Sequence, residues 1–162
     1  ASSLSDFKGI ARRLSIIYNR EYMIIDDFCH NPQGYEVIFE TIQSLNFNRL
    51  IVVNAIRGSR GVQINRNNAK VLASWCSTMN NVKLFLTLSK DTTSVEDRVK
   101  NLELLAYKSI LDNLDIEYAI FDNLEDSLRE ALKIVEKNDL ILMLGAQGMD
   151  QGSRIVKKIL ST

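Results

Sequence analysis

Leu140-Ile141-Leu142-Met143-Leu144, read together with Leu50-Ile51-Val52-Val53, decides how this chain folds. Neither run alternates apolar with polar residues. A strand with one wet face shows a period of two, whereas a strand covered on both faces reads as unbroken apolar sequence, as in a parallel sheet between two layers of helix. Working outward, the other β-rich runs are 14–18, 22–26, 49–56, 83–88 and 118–121. Amphipathic segments at 32–45, 67–78, 95–114 (expected to be the longest helix), 124–136 and 152–160 lie between and after them. From Asp26 onward strand and helix alternate strictly, which predicts a three-layer α/β domain with a mainly parallel, roughly six-stranded sheet and right-handed crossovers. The two leading strands can form an edge hairpin through Asn19-Arg20.

The bulk composition suits that reading. A chain of 162 residues with 46% hydrophobic and 25% charged residues is the size of one globular domain. Lys and Arg together number 20, as do Asp and Glu, so no charge excess points to nucleic acid or to a membrane surface as partner. No apolar run approaches the roughly 20 residues that span a bilayer, and Ala1-Ser2-Ser3-Leu4-Ser5 has no signal-peptide pattern; a cytoplasmic location is expected. Cys29 and Cys76 stand apart and there is one histidine, so two reduced thiols and no metal site are expected.

Candidate sites fall where strands end, the edge at which open α/β sheets bind ligands. Asp26-Asp27-Phe28-Cys29-His30-Asn31-Pro32 follows one strand and opens a helix, with Asn31 as N-cap and Pro32, the only proline, at the first helical position. Asp27 can accept from ribose hydroxyls and a neutral His30 can bond to or stack on a base; equally, both can simply brace the turn. Arg57-Gly58-Ser59-Arg60-Gly61 follows the strand that ends at Ile56. Two guanidiniums and glycine-permitted backbone favour an anion site there over a plain solvated loop. Ser89-Lys90 and Gly145-Ala146-Gln147-Gly148 follow two further strands and face the same edge, each also readable as an ordinary turn. No G-x-x-x-x-G-K-(S/T), G-x-G-x-x-G or G-x-S-x-G occurs, so no phosphate-cleaving or nucleophilic machinery is expected of the chain by itself, and no catalytic residue is assigned.

Taken together these segments resemble the C-terminal domain of the Mur ligase family, which includes muramyl-peptide ligases, folylpolyglutamate synthase and cyanophycin synthetase. Phe7-Lys8-Gly9-Ile10-Ala11-Arg12-Arg13 resembles the F-x-G-x-x-R-R stretch at the junction before that domain. Asp26 to Pro32 is similar to its D-D-(Y/F)-x-H-(H/N)-P motif, and Leu144 to Gly148 resembles a late G-A-G segment. The resemblance implies a linker at 1–13 and a Rossmann-like domain at 14–162. It also implies an ATP-dependent acid–amino-acid ligase, with peptidoglycan precursor synthesis the leading case. ATP and Mg2+ would be bound mainly by a central domain of the same polypeptide, without which this chain would be inactive. Asp27, His30 and Asn31 would face the ATP. Arg57, Gly58, Ser59, Arg60, Ser89, Lys90 and Gly145 to Gly148 would meet phosphate or the incoming amino acid or peptide. No D-N-P-R motif, by which diaminopimelate-adding members hold their amino acid, lies near Ser89–Arg98, so the resemblance implies an amine without choosing it. The alternative to a ligase domain is a stand-alone module binding a nucleotide or peptide on the same edge.

Overall fold

A computed structural model describes residues 12–162; the leading part of the 1–13 linker, with Phe7 to Ala11 of its motif, lies outside the described residues. β1 (Ser15–Asn19) and β2 (Met23–Asp27) form the expected antiparallel edge hairpin. Then follow α1 (Pro32–Ile42), β3 (Leu50–Ala55), α2 (Val62–Thr78), β4 (Val82–Thr87) and α3 (Asn101–Asn113). β5 (Ala119–Phe121), α4 (Leu124–Ile134), β6 (Leu140–Leu144) and α5 (Gly152–Leu160) complete the chain. The strands make one sheet in the order β1-β2-β6-β3-β4-β5, parallel everywhere except at β1.

The two runs that predicted the fold are its centre. β3 and β6 are adjacent and every residue in both is buried. One face of the sheet packs on α1, α2 and α3 through Tyr35, Phe39, Leu72, Ala73, Tyr107 and Leu111. The other packs on α4 and α5 through Leu128, Ala131 and Val156. A polar exception sits inside the first layer. Asn54 of β3 is fully buried, accepts from the Tyr35 hydroxyl at 2.5 Å and donates to the Tyr107 hydroxyl at 3.0 Å. These bonds fix three elements in one register, since a buried polar atom left unpaired is costly.

Two helices differ from expectation. α2 begins at Val62, one turn before the expected start, and at 17 residues is the longest helix. Its early inward positions are Asn65 and Asn68, both buried, so the apolar period is missing where the helix starts. The segment expected as one helix over 95–114 is instead a 3-10 turn (Val95–Asp97), an extended stretch at Arg98–Lys100, and then α3. The break has a physical cause: the backbone of Asp97–Val99 lies directly under Gly58, where a Cβ would fall 2.1 Å from the Asp97 carbonyl oxygen. α1 and α4 also end two or three residues early, at Ile42 and Ile134.

Candidate functional site

Because β2, β3, β4 and β6 are parallel, the loops after Asp27, Ala55, Thr87 and Leu144 all leave one edge. β3 leads to α2 on one face and β6 leads to α5 on the other, so the gap between these neighbours is the switch point of the sheet. All four predicted loops meet around it. The Gly145 amide donates to the Asp27 carbonyl at 3.3 Å, and an Arg57 Nη donates to the His30 carbonyl at 3.3 Å. Gly145 and Gly148 both rest on Ala55: a Cβ at either would come within 2.8 and 2.9 Å of the Ala55 Cβ. Gly145 also has φ +144, a conformation that favours glycine. Gln147 and Gly148 form a 3-10 turn with Met149, and Ala146 is buried.

The Asp26–Pro32 turn is held by a residue that the sequence had placed only in the linker. Arg12 Nε faces the buried Asp26 carboxylate at 3.2 Å; its two Nη atoms donate to the Gly145 carbonyl at 2.6 Å and the Ala146 carbonyl at 3.1 Å. It also reaches Asp150 at 2.6 Å and lies 5.2 Å from the centre of the Phe28 ring. Ser153 of α5 completes the shell by donating to Asp26 at 2.7 Å. Asp27 is half-buried, and one oxygen accepts the Leu14 amide at 2.8 Å. Burial, only partly offset by that amide and by Arg13, raises its carboxyl above the usual value. His30 Nδ1 lies 2.9 Å from the Phe28 carbonyl, which can only accept, so the proton is assigned to Nδ1 and Nε2 is left as an acceptor 3.4 Å from Asn31 Nδ2. Asn31 caps α1 by accepting from the Gly34 amide at 2.8 Å.

In the Arg57–Gly61 loop the expected anion cradle exists, and a carboxylate of the chain itself lies in it. The amides of Ser59, Arg60 and Gly61 donate to Glu103 at 2.9, 2.9 and 2.7 Å, and the Lys100 amide does so at 2.8 Å. Burial pushes the Glu103 carboxyl up, but those four amides outweigh it and hold it below the usual value. Arg60 is paired with Asp97 at 3.0 Å. Arg57 differs. It is half-buried, and among the described residues it faces no carboxylate at ion-pair distance. Burial and then Arg60 lower its pKa, the mark of a charge not fully compensated. Its Nε is buried without a partner, as are Oδ1 of Asn65 and of Asn68, whose Nδ2 groups donate to the Arg57 and His30 carbonyls. The N-terminus of α2 begins at Gly61 with no side-chain cap and no acidic residue in its first turn.

The fourth loop starts buried and then surfaces. Ser89 is buried beneath Gly148, and Lys90 pairs with Asp122 at 2.9 Å. Asp91 caps α4 from a distance, accepting from the Leu124 and Glu125 amides at 2.8 and 3.1 Å. Among the described residues no three His, Cys, Asp or Glu side chains gather to hold a metal ion, and no helix is long and apolar enough to cross a membrane. Both thiols are free; burial raises Cys29 well above the ordinary thiol and Cys76 to about 12. Sequence reasoning passed over Glu103 and Asp91, and it read Arg12 as part of the junction motif without giving it a role at this edge. Only Glu103 left a signal: a Glu three residues after the helix boundary is the second half of a capping box, masked by Lys100 in the first position.

Comparison with known proteins agrees with the fold. Residues 12–147 match the family described as Mur ligase, glutamate ligase domain. A UDP-N-acetylmuramoyl-L-alanyl-D-glutamate–2,6-diaminopimelate ligase of Clostridium botulinum is 26% identical over 147 residues, spanning 88% of this chain and 28% of that protein. The structure of a pseudomurein peptide ligase type C from Methanothermus fervidus superposes with a TM-score of 0.63 at 26% identity, covering 94% of this chain and 30% of that one. The UDP-N-acetylmuramate–alanine ligase of Thermotoga maritima shares the fold, with a TM-score of 0.62 at 19% identity over 98% of this chain and 32% of its own. This chain thus spans about three-tenths of the length of the relatives it matches.

Proposed function

This chain belongs to the Mur ligase family, and from that premise we propose that it is the C-terminal domain of an ATP-dependent ligase that joins a carboxylate to an amine in building a cell-wall peptide. ATP with its Mg2+ would be held mainly by a central domain of the same polypeptide, and ATP would supply the phosphoryl group that activates the carboxylate. The residues of this chain bind and orient. One Asp27 carboxylate oxygen holds the Leu14 amide, and its half-exposed carboxylate has a further oxygen that can accept a ribose hydroxyl. His30, with Nε2 as acceptor, and the capping Asn31 sit beside it and fit the same nucleotide. Arg57 takes the carboxylate of the incoming amino acid or peptide. The loop Gly145 to Gly148 forms the floor between the two. The work is positioning and electrostatic stabilisation, with no nucleophile supplied from this chain.

The observation that supports this most is Arg57 itself: a half-buried guanidinium with no carboxylate partner among the described residues, at the switch point of the sheet, beside the His30 carbonyl. Such a group calls for an anion from a ligand. The test uses the native polypeptide that contains this chain, captured from its source cells through an antibody to the chain. It should be about three domain lengths long and should consume ATP only when both a carboxylate and an amine are present. Arg57→Ala should raise KM for the amine about tenfold or more with a smaller change in kcat, the pattern of lost binding. A polypeptide no longer than this chain, or an unchanged KM, would sink the proposal.

A further inference from the structure

Glu103 does something to the site that neither the family membership nor the proposed ligase reaction accounts for. The Arg57–Gly61 loop offers three consecutive amides and two guanidiniums to an anion. The amides of Ser59, Arg60 and Gly61 all point at Glu103, which is 2% exposed. Arg60 is taken by Asp97, and the Ser59 hydroxyl donates to the Arg98 carbonyl at 2.9 Å. Gly58 is pressed on the Asp97–Val99 backbone, so the loop cannot slide along α3. What remains uncommitted is Arg57, the residue at the root of the clamped loop, which leans toward β2 and the His30 carbonyl.

We propose that Glu103 is the positioning residue of the ligand grip: by filling the loop's amide cradle it fixes the backbone from which Arg57 projects, and it restricts the site's anion recognition to that single guanidinium. The consequence is one of ligand class. An empty cradle of three amides beside two arginines would supply the several donors and charges that a dianionic phosphate needs; with the cradle closed by Glu103, one planar guanidinium gives a single bidentate contact, which satisfies a carboxylate but leaves a phosphate short of donors and of positive charge. Glu103 therefore selects a carboxylate-bearing amine over a phosphorylated one. This rests on the reading of Arg57 as a ligand-holding residue.

The alternative is that Glu103 merely staples α3 to the loop, and the experiment separates the two. Glu103→Ala, Glu103→Gln and the parent chain, labelled with nitrogen-15, are titrated with formate and separately with inorganic phosphate. The amide resonances of Ser59, Arg60 and Gly61 and the Arg57 Nε–H resonance are followed. In Glu103→Ala all four should move. Formate should return all four toward the parent positions, and phosphate should bind the variant at least tenfold more tightly than the parent. If Glu103→Ala proves unfolded, Glu103→Gln, which keeps the side-chain volume, should still displace the Arg57 signal. Should the loop amides move while Arg57 Nε–H stays in place, Glu103 is a staple and the inference falls. Equal phosphate affinity for parent and variant would overturn it too. Failure of the ligase reading looks different: there Arg57→Ala leaves the KM of the amine unchanged whatever Glu103 does.

Discussion

Gly58 and Gly61 stand in the same loop and are required for opposite reasons. A Cβ at Gly58 would strike three atoms of one backbone segment, Asp97 O at 2.1 Å, Arg98 C at 2.4 Å and Val99 N at 2.5 Å, and backbone cannot swing away as a side chain can. Gly61 has open space around it but holds φ at +104 and ψ at 157, a region open almost only to glycine. Gly61→Ala should therefore cost about 2 kcal/mol through backbone strain alone. Gly58→Ala should cost about 4 kcal/mol or more and should shift the Asp97–Val99 segment. Urea unfolding of the two variants checks the order. A Gly58→Ala chain as stable as Gly61→Ala would mean that the loop does not lie on that segment. The expectation drawn from sequence was that both glycines admit a ligand to the backbone; at Gly58 the neighbour admitted is the chain itself.

At the scale of elements, three of the helix starts on the binding edge are capped, each in its own way. α1 is capped by its own Asn31, α3 by its own Glu103, and α4 by Asp91 from the loop after β4. Asn123, the residue just before α4, makes no side-chain cap bond and bonds to Asp126 instead. Asp91→Ala should cost about 1 kcal/mol or somewhat more, the usual loss for a cap, and Asn123→Ala distinctly less. Urea unfolding gives both values, and a reversed order would show that the cap is local. This pattern also explains what was legible beforehand. β3 and β6 were readable because a doubly covered strand leaves only apolar residues, and α1 because Asn31 and Pro32 announce its start. The start of α2 was hidden because Asn65 and Asn68 occupy its inward positions, and the break before α3 because Glu103 turns inward to a loop far away in sequence. Of the site, the four loops and their shared edge were visible. Which groups remain uncommitted was not, since Arg60, Lys90 and the loop amides find partners only through tertiary contact.

At the scale of the whole molecule, the two carboxylates of the edge make opposite contributions to stability as pH changes. Glu103 is held below the usual carboxylate value, so in the folded state its ionised form is favoured. Its contribution is complete above the unfolded pKa and is lost as pH falls through the folded one. Asp27 is raised, chiefly by burial, so ionising it opposes folding, and that cost disappears as the group takes up its proton in acid. With 20 basic and 20 acidic side chains the chain carries no net charge at neutrality, and the positive charge it gains in acid is nearly the same in every variant. Comparing variants at each pH therefore cancels the global term. The difference in unfolding free energy between the parent and Glu103→Gln should hold from neutrality down to about pH 5 and shrink as pH falls below about 4.3, the unfolded glutamate value. Asp27→Asn keeps an oxygen for the Leu14 amide but cannot ionise. Relative to it the parent should gain stability as pH falls through the raised Asp27 value toward about 3.9, the unfolded aspartate value, because the parent sheds the cost of its buried charge. Urea unfolding at a series of pH values gives both curves. Parallel curves for the two variants would mean that Asp27 and Glu103 share one environment, and the edge would then not be divided into an internally filled cradle and a carboxylate left poised for a ligand.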